Sequence, residues 1–193
     1  MYDYITGKLT ELTPTYLIVE NNGIGYVMHI SLNTYSKLEV NTQARIFAHL
    51  QIKEDAHTLY GFYEAKEREV FRILISVSGI GANTARMILS SLTAEEVANA
   101  ISKENVRALQ NIKGIGAKTA QRMIVELKDK MIKIAGSEQN LLPQYNTSAD
   151  EALSALVMLG FQKGAAEKAL AQISRENKQA SVEEYIKLAL KVL

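Results

Sequence analysis

Val77-Ser78-Gly79-Ile80-Gly81-Ala82-Asn83-Thr84-Ala85 and Ile112-Lys113-Gly114-Ile115-Gly116-Ala117-Lys118-Thr119-Ala120 are two copies of one motif. They align at a constant offset of 35 residues, Val77 to Ile112, and share Gly-Ile-Gly-Ala and Thr-Ala. Apolar helical runs flank each copy: Phe71 to Val77 and Thr84 to Leu89 around the first, Val106 to Leu109 and Thr119 to Leu127 around the second. Two glycines around one apolar residue permit a tight turn between helices, one glycine taking positive φ and the other leaving bare backbone for a ligand to approach. The isoleucine between them is expected to turn inward and clamp the two helices.

The next helix begins at once, so its unpaired N–H groups and positive dipole end face the same point, a geometry suited to a phosphate. The candidate contacts are Gly79, Gly81, Asn83 and Thr84 in the first hairpin, and Gly114, Gly116, Lys118, Thr119 and Arg122 in the second. A single Gly-x-Gly turn serves many helical hairpins that bind nothing. Two copies in register favour a pair of sites that grip the two strands of one duplex. Such contacts hold backbone and carry no base code, so binding should be sequence-independent and salt-sensitive.

Charge supports this placement. The net charge is only +1, which at first argues against a nucleic-acid partner. The average hides a division: residues 1–63 carry 4 Lys/Arg against 6 Asp/Glu, residues 64–135 carry 12 against 8, and residues 136–193 carry 6 against 7. The basic excess sits in the segment that holds both hairpins.

Outward from the hairpins, the N-terminal third has strand character. Tyr16–Val19, Gly25–Ile30 and Ala44–Ile52 are rich in β-branched and aromatic residues, with turn signals at Pro14, Asn21-Asn22-Gly23 and Glu39-Val40-Asn41. The Asn22-Gly23 pair predicts a hairpin. Five or so strands in about 60 residues suggest a small closed or nearly closed barrel, the OB type being one candidate. From Glu64 the period becomes helical, with Val70, Phe71, Leu74, Ile75 and Val77 on one face behind Arg68 and Arg72. Thr93/Glu96, Ser148/Glu151 and Ser181/Glu184 read as capping boxes at three further helix starts.

The stretch from Ala135 to Asn146 has no amphipathic period and contains Pro143, and it is expected to be a flexible linker, about 20 Å end to end. Beyond it lies a helical segment of near-neutral charge with apolar Leu153, Leu156, Leu159, Phe161 and Leu170. Most of these should be core. A bundle this small has little interior, so Leu156, Leu159, Phe161 and Leu170 are also candidates for a protein-docking face.

The chain resembles the RuvA family along its whole length. The resemblance rests on Asn22-Gly23-Ile24-Gly25-Tyr26, Lys53-Glu54-Asp55-Ala56-His57-Thr58-Leu59-Tyr60-Gly61-Phe62, the paired Gly-Ile-Gly hairpins and Ile124-Val125-Glu126-Leu127-Lys128-Asp129. It implies an α+β multidomain fold: an N-terminal OB-fold barrel (1–63), a central all-α domain with two helix-hairpin-helix motifs (64–135), a linker (136–147) and a C-terminal three-helix bundle (148–193) resembling ubiquitin-associated domains. It implies a homotetramer, alone or as paired tetramers, that holds a four-way (Holliday) junction open. The implied partners are the RuvB ATPase on the last domain and the RuvC resolvase in a larger complex. It also implies an acidic pin at Glu54 and Asp55. Read by themselves, two acids at a strand turn are ordinary solvated loop residues; under fourfold symmetry eight carboxylates would meet and repel phosphates. Each close like-charge pair costs about 1 kcal/mol in water and up to about 4 kcal/mol near a protein surface. One departure is Asn83, which stands where the family pattern favours a basic residue.

Other classes fit less well. With no cysteine, thiolate metal sites, disulfides and cysteine nucleophiles are excluded. Adjacent acids on one turn do not supply the converging oxygens of a catalytic magnesium site. His29, His49 and His57 form no spaced cluster, and there is no phosphate-binding loop for ATP. The expectation is a cytoplasmic, non-enzymatic protein with no cofactor, metal or membrane span, whose ATP-driven work falls to a partner. A general duplex-binding scaffold of replication or repair, without junction preference, stays open on these residues.

Overall fold

The computed structural model describes residues 2–136, 148–176 and 180–193. Two compact units emerge, Met1–Gln139 and Asn140–Leu193.

The first unit opens with five strands: β1 (Tyr4–Leu12), β2 (Tyr16–Asn21), β3 (Ile24–His29), β4 (Gln43–Ile52) and β5 (His57–Phe62). They close into a barrel in the order β1-β2-β3-β5-β4, with β1 also paired to β4. Alternation builds it: Ile5, Leu9, Leu17, Val19, Met28, Ile46 and Ala48 point inward and form the barrel core. Asn22 (φ 50°) and Gly23 (φ 79°) make the β2–β3 turn, both left-handed as a two-residue hairpin requires. A four-residue helix, α1 (Leu32–Tyr35), fills the β3–β4 connection.

Five helices follow: α2 (Ala65–Leu74), α3 (Ala82–Ser91), α4 (Ala94–Ser102), α5 (Val106–Gln110) and α6 (Ala117–Gly136). Their core continues into the barrel through Phe71 of α2, fully buried with ring centroids 4.9 Å from Phe62, 5.1 Å from Tyr60 and 5.3 Å from His49. Burying such a ring is worth about 1.5–3 kcal/mol, and each aromatic pair adds about 0.5–1.5 kcal/mol. Burial first, then Arg72 and Arg68, hold His49 below its usual range. Polar contacts reinforce the seam. Arg68 donates to Asp3 Oδ1 (2.6 Å) and lies over the Phe47 ring, and Arg86 donates to the Thr15 carbonyl (2.9 Å).

The second unit holds α7 (Ser148–Met158), α8 (Lys163–Glu176) and α9 (Val182–Ala189) around Ala152, Leu156, Ala166, Ala169, Leu170, Ile173, Tyr185 and Ala189. Gly160 (φ 97°) ends α7: Phe161 N–H bonds Leu156 O (3.1 Å) and Gly160 N–H bonds Val157 O (3.0 Å). This is a Schellman ending, which folds Phe161 back against the core.

Some sequence expectations need correction. The boxes at Thr93 and Ser181 are present, whereas Ser148 is itself helical within α7 rather than a residue preceding it. Leu156 and Leu170 are buried among the three helices and offer nothing to a partner, because both lie on the inward stripe at helical spacing. The expected linker starts too early, since α6 runs to Gly136; its remaining residues, 137–147, lie outside the described residues.

Among the described residues Glu67 of α2 is the one charged residue that is buried, accepting hydrogen bonds from the Ser31 and Thr34 hydroxyls (2.7 Å for Thr34). Burial raises its pKa above 4.5, outweighing the hydrogen bonds and Lys37, which lower it; Glu64 raises it further. A raised carboxyl pKa contributes stability below the unfolded value that is lost as pH rises through the folded value. The stability of the natural chain relative to Glu67→Gln should therefore fall from about pH 4 to pH 8 in urea titrations. Glu67→Ala, which strands two buried hydroxyls, should be less stable than Glu67→Gln by about 2 kcal/mol at any pH in that range. A pH-independent gap between the natural chain and Glu67→Gln would contradict the assignment.

Candidate nucleic-acid interface

The two hairpins repeat in geometry as they do in sequence. Gly79 (φ 92°) and Gly114 (φ 91°) are the left-handed third residues of matching turns. These turns are closed by Ile80 N–H to Val77 O and Ile115 N–H to Ile112 O, both 3.0 Å. A non-glycine residue in that conformation costs roughly 1–2 kcal/mol, so these two glycines serve the fold. Ile80 and Ile115 turn inward and are buried, clamping the helices as expected.

Gly81 and Gly116 are different. Gly81 is extended (φ −82°, ψ 167°), Gly116 is not left-handed, and a Cβ on either would meet nothing within 4 Å. Nothing inside the protein requires glycine there. Each precedes a helix, α3 or α6, and its carbonyl accepts the first helical bond, from Ala85 or Ala120 (2.9 Å each). Ser, Thr, Asp or Asn would cap such a helix better than glycine. Instead no side chain caps α3. A smooth backbone with free donors is what an incoming phosphate needs.

Asn83 and Lys118 are exposed on the first turns of α3 and α6, and Thr84 and Thr119 are half-buried beside them. Among the described residues no ion pair involves Lys113 or Lys118. Lys113, exposed one residue before Gly114, is a donor the sequence reading passed over; its place in the repeat, opposite Ser78, was the available signal. Arg122 is engaged differently from expectation: it donates to Glu126 Oε1 (2.9 Å) and to the Ser78 carbonyl (3.2 Å). That bond ties the helix of the second hairpin to the turn of the first and sets the two turns side by side.

Glu54 and Asp55 sit at the exposed tip of the β4–β5 hairpin, which Lys53 N–H to Ala56 O closes (2.9 Å). In the second unit Leu159 is 62% exposed and its neighbour Met158 88%, while Phe161 is half-buried. Among the described residues no group of three His, Cys, Asp or Glu converges as a metal site would, and no helix is long and apolar enough to cross a membrane. His29 and His49 lie half-buried on β3 and β4.

Gly81→Asp and Gly116→Asp give the arrangement a test in which stability and binding move oppositely. Asp is a better helix cap, so folding should be unchanged or gain a few tenths of a kcal/mol. DNA binding should weaken roughly tenfold or more, because the carboxylate takes the phosphate's donors and repels it. Lys118→Ala with Thr119→Ala should also weaken binding, and Asn83→Ala mildly, in gel shifts at fixed salt. Full-strength binding by the glycine variants would remove the hairpins from the interface.

Comparison with known proteins agrees region by region. Residues 1–61 match the RuvA N terminal domain, residues 71–129 a SAM-like helix-hairpin-helix tandem, and residues 147–193 the RuvA C-terminal domain. Proteins named Holliday junction branch migration complex subunit RuvA are similar over the full length of both chains. They include those of Christiangramia forsetii (51% identical), Flavobacterium psychrophilum (50%) and Bacteroides fragilis (48%). With the closed five-stranded barrel, the tandem hairpins and the helical C-terminal unit in place, the chain belongs to the RuvA family.

Proposed function

We propose that this chain is the junction-binding, non-catalytic subunit of a branch-migration complex. It grips duplex arms by their backbones, keeps a four-way junction open, and passes the arms to an ATP-driven motor. The observation that carries this reading is the pair of glycines, Gly81 and Gly116, that the fold does not need, each at the start of a helix in a duplicated hairpin. The names of the relatives support the junction as substrate.

The finer assignments follow the same logic. Gly79, Gly81, Asn83 and Thr84 hold one strand, and Gly114, Gly116, Lys118 and Thr119 the other. In a homotetramer the Glu54–Asp55 turns gather at the junction centre and repel the exchanging strands. The second unit docks the motor, the RuvB ATPase of the family, with Leu159 and Met158 as its exposed apolar anchors. RuvC joins a larger assembly, and the chain works in the cytoplasm. The division into a barrel (1–63), a hairpin domain (64–135), a linker (136–147) and a bundle (148–193) assigns one task to each folded part.

Gel shifts of a four-way junction and a linear duplex of equal length should show junction preference without sequence preference. The logarithm of junction affinity should fall against the logarithm of salt with a slope beyond about −4, since each neutralised phosphate contributes about −0.9. Equal affinity for the two DNAs would favour the general duplex scaffold instead.

Replacing Glu54 and Asp55 with Gln and Asn should raise affinity for linear duplex several-fold and so reduce the junction preference. A metal-binding or catalytic pair would lose function without gaining duplex affinity, so weaker duplex binding would count against the repulsive role.

A further inference from the structure

The acidic turn and the hairpins belong to different bodies, the barrel and the helical region, and only Tyr63 and Glu64 separate β5 from α2. Two residues carry only four soft backbone dihedrals, too few to absorb a misfit but enough to swing if nothing holds them. The arms are long. Six residues of β5 span about 20 Å back to the acidic turn, and ten residues of α2 about 15 Å on toward the first hairpin. A rotation of about 10° at the joint would move the acidic tip by about 3–4 Å on an arm of that length.

The small helix α1 lies across this joint. The Thr34 hydroxyl accepts from Tyr63 N–H (3.0 Å) and donates to Glu67 Oε2 (2.7 Å), so one buried oxygen holds both the strand side and the helix side. Ser31 donates to the other oxygen of Glu67 and accepts from Thr34 N–H (3.0 Å). Just beyond α1, Lys37 pairs with Glu64 (2.6 Å). The same helix also reaches α3, the second helix of the first hairpin. Asn33 Nδ2 donates to the carbonyls of Leu89 (2.5 Å) and Leu92 (3.0 Å), and Leu32 N–H donates to Ser90 Oγ (3.1 Å). A surface connection between strands ordinarily turns its polar side chains to water. Here Ser31, Asn33 and Thr34 all bond to the helices that carry the first hairpin.

We propose that α1 is a positioning bracket: Thr34 and Asn33 fix where the acidic turn stands relative to the first hairpin, and this placement sets the preference for four-way junctions over linear duplex. The proposal rests on the reading that Glu54, Asp55 and the hairpins act on the same DNA. Coulomb repulsion falls with distance, so an acidic tip displaced by a few ångströms repels the wrong part of the junction, while each hairpin still closes on its own phosphates.

The test is a double-mutant cycle on the full-length chain. Junction and linear-duplex affinities are measured for Thr34→Val, Thr34→Ser and Asn33→Ala, each with the natural acidic turn and with Glu54→Gln/Asp55→Asn. Thermal melts confirm folding at the assay temperature. Asn33, only partly buried, provides a variant that folds even if Thr34→Val does not. Thr34→Val and Asn33→Ala should lower the junction-to-duplex affinity ratio about tenfold, leaving the salt slope of duplex binding unchanged. Thr34→Ser, which keeps the hydroxyl, should restore the ratio, and in the neutralised background none of the three should change it further. Folded variants that keep the natural ratio, or that lose junction and duplex affinity in parallel, overturn the bracket. If the natural chain shows no junction preference, or neutralising the acids leaves its ratio unaltered, the functional reading itself fails and the bracket with it; that outcome is read before any α1 variant is made.

Discussion

Phe71 is the residue on which the first unit depends. It comes from the helix that leads into the first hairpin, yet its ring is buried against Phe62, Tyr60 and His49 of the barrel. One apolar contact thus joins two bodies of different secondary structure into a single core. The polar seam around it, with Arg68 on Asp3 and Arg86 on Thr15, adds direction to that attraction. Hydrophobic burial holds the two bodies together without specifying an angle, whereas hydrogen bonds and ion pairs prescribe one.

The hairpins use two kinds of glycine for two purposes. Gly79 and Gly114 take a left-handed conformation that closes the turn. Gly81 and Gly116 take no unusual conformation and border empty space, so what they provide is accessible backbone. A serine in their place would stabilise the helix and occupy the donors. The protein forgoes a modest capping gain, worth a few tenths of a kcal/mol over glycine, at both helix starts. The net charge of +1 is compatible with the proposed contacts, which would use neutral N–H groups and a few lysines at the turns without a broad basic surface.

Under the proposed function, separate binding and docking parts suit a protein that stays on DNA while engaging a motor. The C-terminal unit exposes the apolar side chains of Met158 and Leu159 beside the glycine turn that ends α7. Its interior is filled by side chains from Ala152 and Leu156 to Ile173 and Tyr185, while Met158 at the end of α7 and Leu159 just after it stay outside.

By itself the sequence determined the elements whose causes are local. Alternation marked the strands, the 3.6-residue period marked the helices, Asn22-Gly23 marked a left-handed turn, and the repeat at offset 35 marked two helical hairpins. Each depends on neighbours within a few positions, so the residues themselves carry the signal. The tertiary structure alone decided what arises between distant segments. It buried Glu67 against Ser31 and Thr34, turned Arg122 toward Ser78 of the other hairpin, and directed Asn33 to α3. It also sent Leu156 and Leu170 inward while leaving Leu159 outside, a choice that apolar character could not make. The reason is physical: a side chain's propensity is fixed by its own chemistry, but its partner is fixed by how whole elements dock, and docking is a property of the assembled core.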